Sequence, residues 1–285
     1  MPEVSEIALT AEILEKKIRN KKIVSFDFVS GRYGPGRTEP AGFEDFAGAL
    51  DVKPMKLLNV MTKGKFLWFV FKGTEEFYVM NTFGLTGMWS LFKARNTRAV
   101  LTFADGMEVF YSDPRNFGTF KFTSDPKVLQ KKLNELAPDW LKESTQNLSK
   151  IKSLDKNIVE ILTDQKLIGS GIGNYLVCEI LYRAKLSPRR KGPSLSTSDV
   201  KNLAHWIRYM VKLSYVSNHI GYMINLDEEA DKLKRKDYLP DIKLKKSDEE
   251  FEFNVYRKKI DPLGNPVRIE KIKDRSIYWV KAVQK

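Results

Sequence analysis

Sulfur and imidazole are scarce in this chain. It has one cysteine, Cys178, and two histidines, His205 and His219. A lone cysteine excludes an intramolecular disulfide and a thiolate metal cluster. Two histidines are too few for a histidine-based metal site. No apolar run reaches about 18 residues, so no transmembrane helix is expected. The N-terminus lacks a charged segment followed by an apolar one, so no secretory signal is visible. Repeats and low-complexity tracts are also missing. What is abundant is positive charge, +13 net over 285 residues. That excess favours an anionic partner, most simply nucleic acid, with an acidic membrane or plain solubility left open. The length suits one large domain or two of ordinary size.

The first six residues are Met1, Pro2, Glu3, Val4, Ser5 and Glu6. Loss of Met1 would leave Pro2 as a free secondary amine, with one carboxylate at the next residue, Glu3, and a second at Glu6. An α-amino group has a reference pKa of about 8, against about 10.4 for lysine, so far more of it is neutral and nucleophilic near pH 7. Such an amine can attack an aldehyde carbon to form an iminium, and an adjacent carboxylate can move the protons. The plain alternative is a terminal proline that favours methionine removal and nothing more.

Ile7, Ala11, Leu14 and Ile18 recur at helical spacing, so a helix is expected to start within a few residues of Pro2. Val24, Phe26 and Phe28 alternate with polar residues as a half-buried strand, and 66–71 is a continuous apolar run that reads as a buried strand. Further short strands are expected at 77–80, 99–103, 109–111 and 120–122, a spacing that suits a β-sandwich or barrel. Helical patterns follow at 128–136, 157–163, 175–184 and around Leu203, Trp206, Ile207, Met210 and Val211, the last opened by a capping box of Ser196 and Asp199. A domain boundary is expected near 123–130. Residues 226–248 are charged with few apolar anchors and read as mobile. The tail returns to strands: Phe251, Phe253 and Val255 alternate, 261–266 makes a turn, and 267–272 with 276–283 forms an antiparallel hairpin.

Four stretches can carry chemistry. Lys65 lies in Thr-Lys-Gly-Lys at the mouth of the buried strand, where it can reach a phosphate or merely face solvent. The 164–174 segment brings Gly169, Gly171 and Gly173 into a helix start, either as amides that hold a phosphate or as a plain glycine-rich turn. Asp113, Pro114, Arg115, Asn116, Phe117 and Gly118 form a loop whose arginine and phenylalanine can wedge into a base stack. Arg275 sits in a hairpin turn, suited to bidentate phosphate contact or to ordinary surface exposure.

Their order decides more than any one of them. From Pro-Glu through Lys-Gly-Lys, Gly-Leu-Thr-Gly-Met and Asp-Pro-Arg-Asn-Phe-Gly to Gly-Ser-Gly-Ile-Gly-Asn-Tyr and an arginine hairpin, nearly the whole chain resembles the formamidopyrimidine-DNA glycosylase and endonuclease VIII family of base-excision repair enzymes. It looks most similar to the endonuclease VIII-like branch with a zincless finger, and stretches 81–91 and 217–223 look like the giant-virus type. The resemblance implies an α+β fold: an N-terminal β-sandwich catalytic domain behind the first helix (1–125), a helix-two-turns-helix DNA-binding domain (126–248) and a zincless β-hairpin finger (249–285). It also implies a role for each matching residue. Pro2 is the nucleophile, Glu3 the acid-base residue, Glu6 a supporting carboxylate, and Lys65 the lysine near the phosphates and the reacting sugar. Asn174 and Arg275 grip the phosphates flanking a flipped nucleotide, and Leu85, Arg115 and Phe117 fill the gap and face the opposite strand. The implied activity is a bifunctional glycosylase and abasic-site lyase, with no cofactor and no metal. The implied partner is DNA holding oxidised bases, mainly pyrimidines and hydantoins, or abasic sites. The protein is expected to be a monomer, with no membrane, inside the cell in the nucleus or a viral replication compartment. The family usually reads Pro-Glu-Gly-Pro-Glu, so Val4 and Ser5 are departures; the larger Val4 is expected to crowd the site or alter the helix start. A non-catalytic binder of damaged DNA and a general nucleic-acid binder are the alternatives.

Overall fold

The computed structural model describes residues 2–143, 146–217, 226–248 and 250–285. Of the 217–223 stretch, only Ser217 falls among them. The described residues divide into two compact units, one drawn from 2, 6–135 and 226–234, the other from 3–5, 136–217 and 235–285.

In the first unit, helix α1 (Val4–Ile18) buries Ile7, Ala11, Leu14 and Ile18, the face set by their spacing. Then follow β1 (Lys22–Phe28), α2 (Phe43–Val52), β2 (Met55–Lys63), β3 (Phe66–Lys72), β4 (Glu76–Thr82), β5 (Met88–Ser90), β6 (Thr97–Phe103), β7 (Glu108–Ser112), β8 (Thr119–Thr123) and α3 (Pro126–Glu135). The strands join in the order β5-β7-β6-β1-β2-β3-β4-β8, with antiparallel pairing throughout. β7 and β8 are far apart in that order, yet the rings of Tyr111 and Phe120 lie 5.0 Å apart. Trp89 on edge strand β5 lies 6.0 Å from the same Phe120. The sheet therefore folds over on itself, and its two halves pack face to face as a sandwich. Aromatic edges fill the interior: Phe26 meets Phe46 and Phe122 at 6.1 and 5.2 Å, both near perpendicular.

β3 is buried along 66–71, as its continuous apolar run predicts. β1 departs from its apparent alternation. A bulge between Ile23 and Ser25 shifts the register against β6, so Ile23 points inward at 0 % exposure and Val24 outward at 42 %. Neither α2 nor β2 stands out in the sequence. β2 mixes lysine, asparagine and threonine with its apolar residues, and its place between β1 and β3 overrides that weak local signal.

In the second unit, α4 (Ile158–Thr163) is capped by the Asn157 side chain, which accepts from Val159 N at 2.9 Å. Helix α5 (Asn174–Ala184) packs on α6 (Thr197–Ser217). The capping box forms reciprocally: Ser196 N donates to Asp199 Oδ2 at 2.9 Å and Asp199 N to Ser196 Oγ at 3.0 Å. The short α7 (Asp227–Asp231) belongs to the first unit, where Glu229 pairs with Lys17 at 2.7 Å. The 226–248 segment has more anchors than its composition suggests. Leu226 and Ala230 are buried in the first unit and Leu239 and Ile242 in the second. Lys212 Nζ donates to the Leu239 and Ile242 carbonyls at 2.8 and 3.0 Å. The expectation of a mobile segment is therefore corrected for these residues.

The tail hairpin pairs β9 (Arg268–Ile272) with β10 (Arg275–Trp279) around a two-residue turn. Ile277 and Trp279 are buried and β10 packs on α5. The strand expected at 251–255 does not form. Its amides turn instead toward one carboxylate, as described below. Among the described residues, no helix is long and apolar enough to cross a membrane.

The bulge makes a direct prediction. Ile23→Ala should cost about 2–5 kcal/mol of unfolding free energy by urea titration, whereas Val24→Ala should stay within about 0.5 kcal/mol. Equal losses would mean that the bulge is absent.

Candidate functional site

Glu3 has no exposed surface. Its carboxylate meets the N-terminus of α5: Gly173 N donates to Oε2 at 2.5 Å and Tyr175 N to Oε1 at 2.9 Å. The first amides of a helix have no partner within it, and its dipole favours negative charge there. A side chain about 170 positions upstream thus fills the seat of an N-cap. The glycine-rich segment is resolved accordingly. Its amides serve the protein, with Gly171 N donating to Gln165 Oε1 at 2.7 Å, and Gln165 Nε2 returning to the Thr163 and Ile172 carbonyls at 2.7 and 3.1 Å. Of the two readings, the internal turn is the one that forms, and the amides of Gly173 and Tyr175 hold a carboxylate rather than a phosphate.

Val4 fits this turn. Its amide donates to Gly171 O at 3.0 Å, and a Cβ added at Gly171 would lie 2.5 Å from the Val4 Cβ. Gly171 also has φ +114°, a conformation that favours glycine. Ser5, where the family usually has proline, is buried and donates to Val211 O on α6 at 3.4 Å. Both departures are seated by packing within the second unit, and α1 begins at Val4 regardless.

Asn174 opens α5, and its Nδ2 donates to Ser276 O at 3.0 Å, beside Arg275 at the start of β10. The structure thus joins the segments carrying Asn174 and Arg275, both half-buried. In the first unit, Pro2 and Glu6 are buried, and Lys65 is half-buried in the two-residue turn between β2 and β3. Leu85 is brought to the Arg115–Phe117 loop through its neighbour Thr86. Thr86 Oγ1 donates to Asp113 Oδ1 at 2.5 Å and accepts from Arg115 N at 3.1 Å, and Asp113 Oδ2 takes Gly118 N at 2.7 Å. Phe117 stands 50 % exposed with the Arg115 guanidinium 5.0 Å over its ring. An exposed phenylalanine on a loop tied this firmly suits insertion into a stack of planar groups.

Glu179 lies outside the sequence motifs, and Thr86 and Asp113 stand in them only as loop residues. Glu179 is fully buried and gathers four donors: Val255 N and Tyr256 N on Oε1 at 3.0 and 2.8 Å, Asn254 N and Nδ2 on Oε2 at 2.9 and 3.0 Å. Three successive amides converging on one carboxylate cannot alternate as in a strand, which is why 251–255 forms none. Burial pushes the Glu179 carboxyl above the usual range, against the pull of those four bonds. The signal was available, a single carboxylate in the otherwise apolar run 175–182. Burial also raises the Cys178 thiol, which keeps it protonated at neutral pH. Among the described residues, no group of three or more histidine, cysteine, aspartate or glutamate side chains could hold a metal ion.

Comparison with known proteins places this geometry. Models of the formamidopyrimidine-DNA glycosylase N-terminal, H2TH and C-terminal domains match residues 1–120, 136–221 and 240–285. The formamidopyrimidine-DNA glycosylase of Carboxydothermus hydrogenoformans is 31% identical over 219 residues, 75% of this chain and 77% of its own. The chain belongs to the formamidopyrimidine-DNA glycosylase family. Another family member, from Oceanobacillus iheyensis, is 29% identical over 71% of this chain and 72% of its own. The fold is that of solved family structures. The Lactococcus lactis enzyme bound to DNA containing N7-benzyl-Fapy-dG gives a TM-score of 0.80 at 20% identity, covering 100% of both chains. MutM with DNA containing carbocyclic 8-oxo-G gives 0.77 at 20% identity, again with 100% of both covered.

The two amide bonds make Glu3→Gln more than a chemical change. A side-chain amide places an N–H₂ group against one of the two backbone donors, leaving a buried donor unmatched. Unfolding free energy by urea titration should fall by about 1–3 kcal/mol. An unchanged value would remove Glu3 from the α5 cap.

Proposed function

We propose that this protein is a bifunctional DNA glycosylase and abasic-site lyase that excises oxidised bases, mainly pyrimidines and hydantoins, in base-excision repair. The observation that carries this reading is the burial of Glu3 on the α5 N-terminus, directly beside Pro2 in the chain. With Met1 removed, the Pro2 nitrogen is a secondary amine whose neighbouring residue is a fixed carboxylate.

DNA is drawn by the +13 charge. The damaged nucleotide is extruded, at lower cost than an intact pair. Leu85, Arg115 and Phe117 fill the space left and face the opposite strand, and Asn174 and Arg275 hold the flanking phosphates. The Pro2 nitrogen forms a bond to C1′ as the glycosidic C–N bond breaks, and the base leaves with the electron pair and a proton. Glu3 assists opening of the sugar ring by moving a proton to its oxygen, which gives the iminium. Loss of a C2′ proton then expels the 3′ phosphate, and a second elimination expels the 5′ phosphate. Hydrolysis of the iminium frees Pro2. Glu6 and Lys65 support this site, Lys65 through its charge near the phosphates and the sugar. The rival reading, a non-catalytic binder of damaged DNA, is motivated by Val4 and Ser5, which are seated against Gly171 and Val211.

Borohydride should trap a covalent adduct between the protein and DNA holding an abasic site. Pro2→Gly should reduce trapping by about two orders of magnitude, the scale on which loss of a catalytic group acts. Trapping of Pro2→Gly at the wild-type rate would dismiss Pro2 as the nucleophile.

A further inference from the structure

Beside the Arg115–Phe117 loop lies a polar cleft of about 680 Å³ lined by Ser30, Gly31, Arg32, Arg37, Thr38 and Asn116, among others. Both arginines are exposed, and among the described residues neither has a carboxylate partner. Arg32 is held in place: its guanidinium lies 5.4 Å over the Tyr33 ring and Nη1 donates to Gly118 O at 3.4 Å. The cleft is built into the loop next to it. Arg32 N donates to Asn116 Oδ1 at 3.1 Å. Arg98 bridges the two walls, with Nη1 on Ser30 Oγ at 3.0 Å and Nε on Asp113 O at 2.8 Å. Gly31 has φ +79°, and a Cβ there would lie 2.5 Å from Asn116 Oδ1, so the close approach of the two loops needs glycine.

Two guanidinium groups that have no carboxylate partner among the described residues flank this polar cleft and form a site for an oxyanion, which a planar fork of donors can take bidentately. We propose that this cleft binds one backbone phosphate of the DNA strand opposite the lesion. The strand assignment follows from Asn116, which lines the cleft and lies between Arg115 and Phe117, the residues facing that strand in the proposed function. The inference rests on that reading. A phosphate in the cleft meets Arg37 and Arg32. Through Arg32 N, Asn116 and Arg98, it fixes the loop that carries Phe117 to a set register on the duplex. The site thus couples grip on the intact strand to the position of the wedge.

Binding is measured by fluorescence anisotropy between about 50 and 200 mM salt, on a lesion strand with a tetrahydrofuran abasic analogue, once single-stranded and once paired. Each phosphate contact contributes about 0.9 to the slope of log K against log salt on duplex DNA. Arg37→Gln should flatten the duplex slope by about that amount and leave the single-strand slope at the wild-type value. Arg37→Lys should restore most of the duplex slope. Arg32→Gln with Arg37→Gln should flatten it no further than a single phosphate allows. A duplex slope unchanged in Arg37→Gln, or an equal loss on both DNAs, overturns the cleft as a site for the opposite strand. Borohydride trapping of wild type on the abasic single strand runs beside it. If wild type traps and only the slopes fail, the cleft alone falls; if wild type traps nothing, the glycosylase reading falls and the cleft's assignment with it.

Discussion

One buried carboxylate on one helix N-terminus orders much of this protein. Glu3 takes the amides of Gly173 and Tyr175, and Pro2 is its neighbour in the chain. A helix end buried without partners would cost free energy for each open amide. That cost is avoided only when the N-terminus is docked. The glycines before α5 serve the same contact, since Gly171 leaves room for Val4 and presents its carbonyl to the Val4 amide. Within this arrangement the proposed acid-base residue is also a structural cap, so chemistry and stability share one side chain.

The same device recurs on α5. Four residues after Tyr175, whose amide meets Glu3, the helix offers Glu179 to the amides of Asn254, Val255 and Tyr256. The tail hairpin then packs on α5 through Ile277 and Trp279, and Tyr278 N reaches Cys178 Sγ at 3.4 Å. The hairpin is therefore held by apolar burial on a helix, by strand pairing and by a carboxylate that gathers the segment leading to it. Asn174 at the head of the same helix holds Ser276, so the proposed phosphate-gripping pair is set from α5 as well.

Local periodicity carried much of the fold into the sequence. The apolar run 66–71, the α1 face from Ile7 to Ile18, the α6 face with its Ser196–Asp199 box and the tail hairpin all repeat at the period of their element. Failures occurred where a long-range partner overrides local pattern. Val24 alternates correctly but a bulge turns it outward. Phe251, Phe253 and Val255 alternate too, but Glu179 gathers the amides of Asn254, Val255 and Tyr256 and the strand does not form. For the candidate site, motif order picked out Pro2, Glu3, Asn174 and Arg275, yet nothing in spacing shows that Glu3 caps a helix about 170 residues away. Asp113 and Thr86, which tie Leu85 to Phe117, are ordinary turn residues in the sequence and gain meaning only from the contact of two loops.

The central claim is that the amino-terminal nitrogen of Pro2, held beside the capped Glu3, bonds to the sugar of damaged DNA. Peptide mapping by mass spectrometry of the borohydride-reduced adduct tests it most directly. The predicted result is a peptide beginning at Pro2, without Met1, that carries the sugar remnant on its terminal nitrogen. A remnant on Lys65 or any other lysine, with Pro2 unmodified, would contradict it.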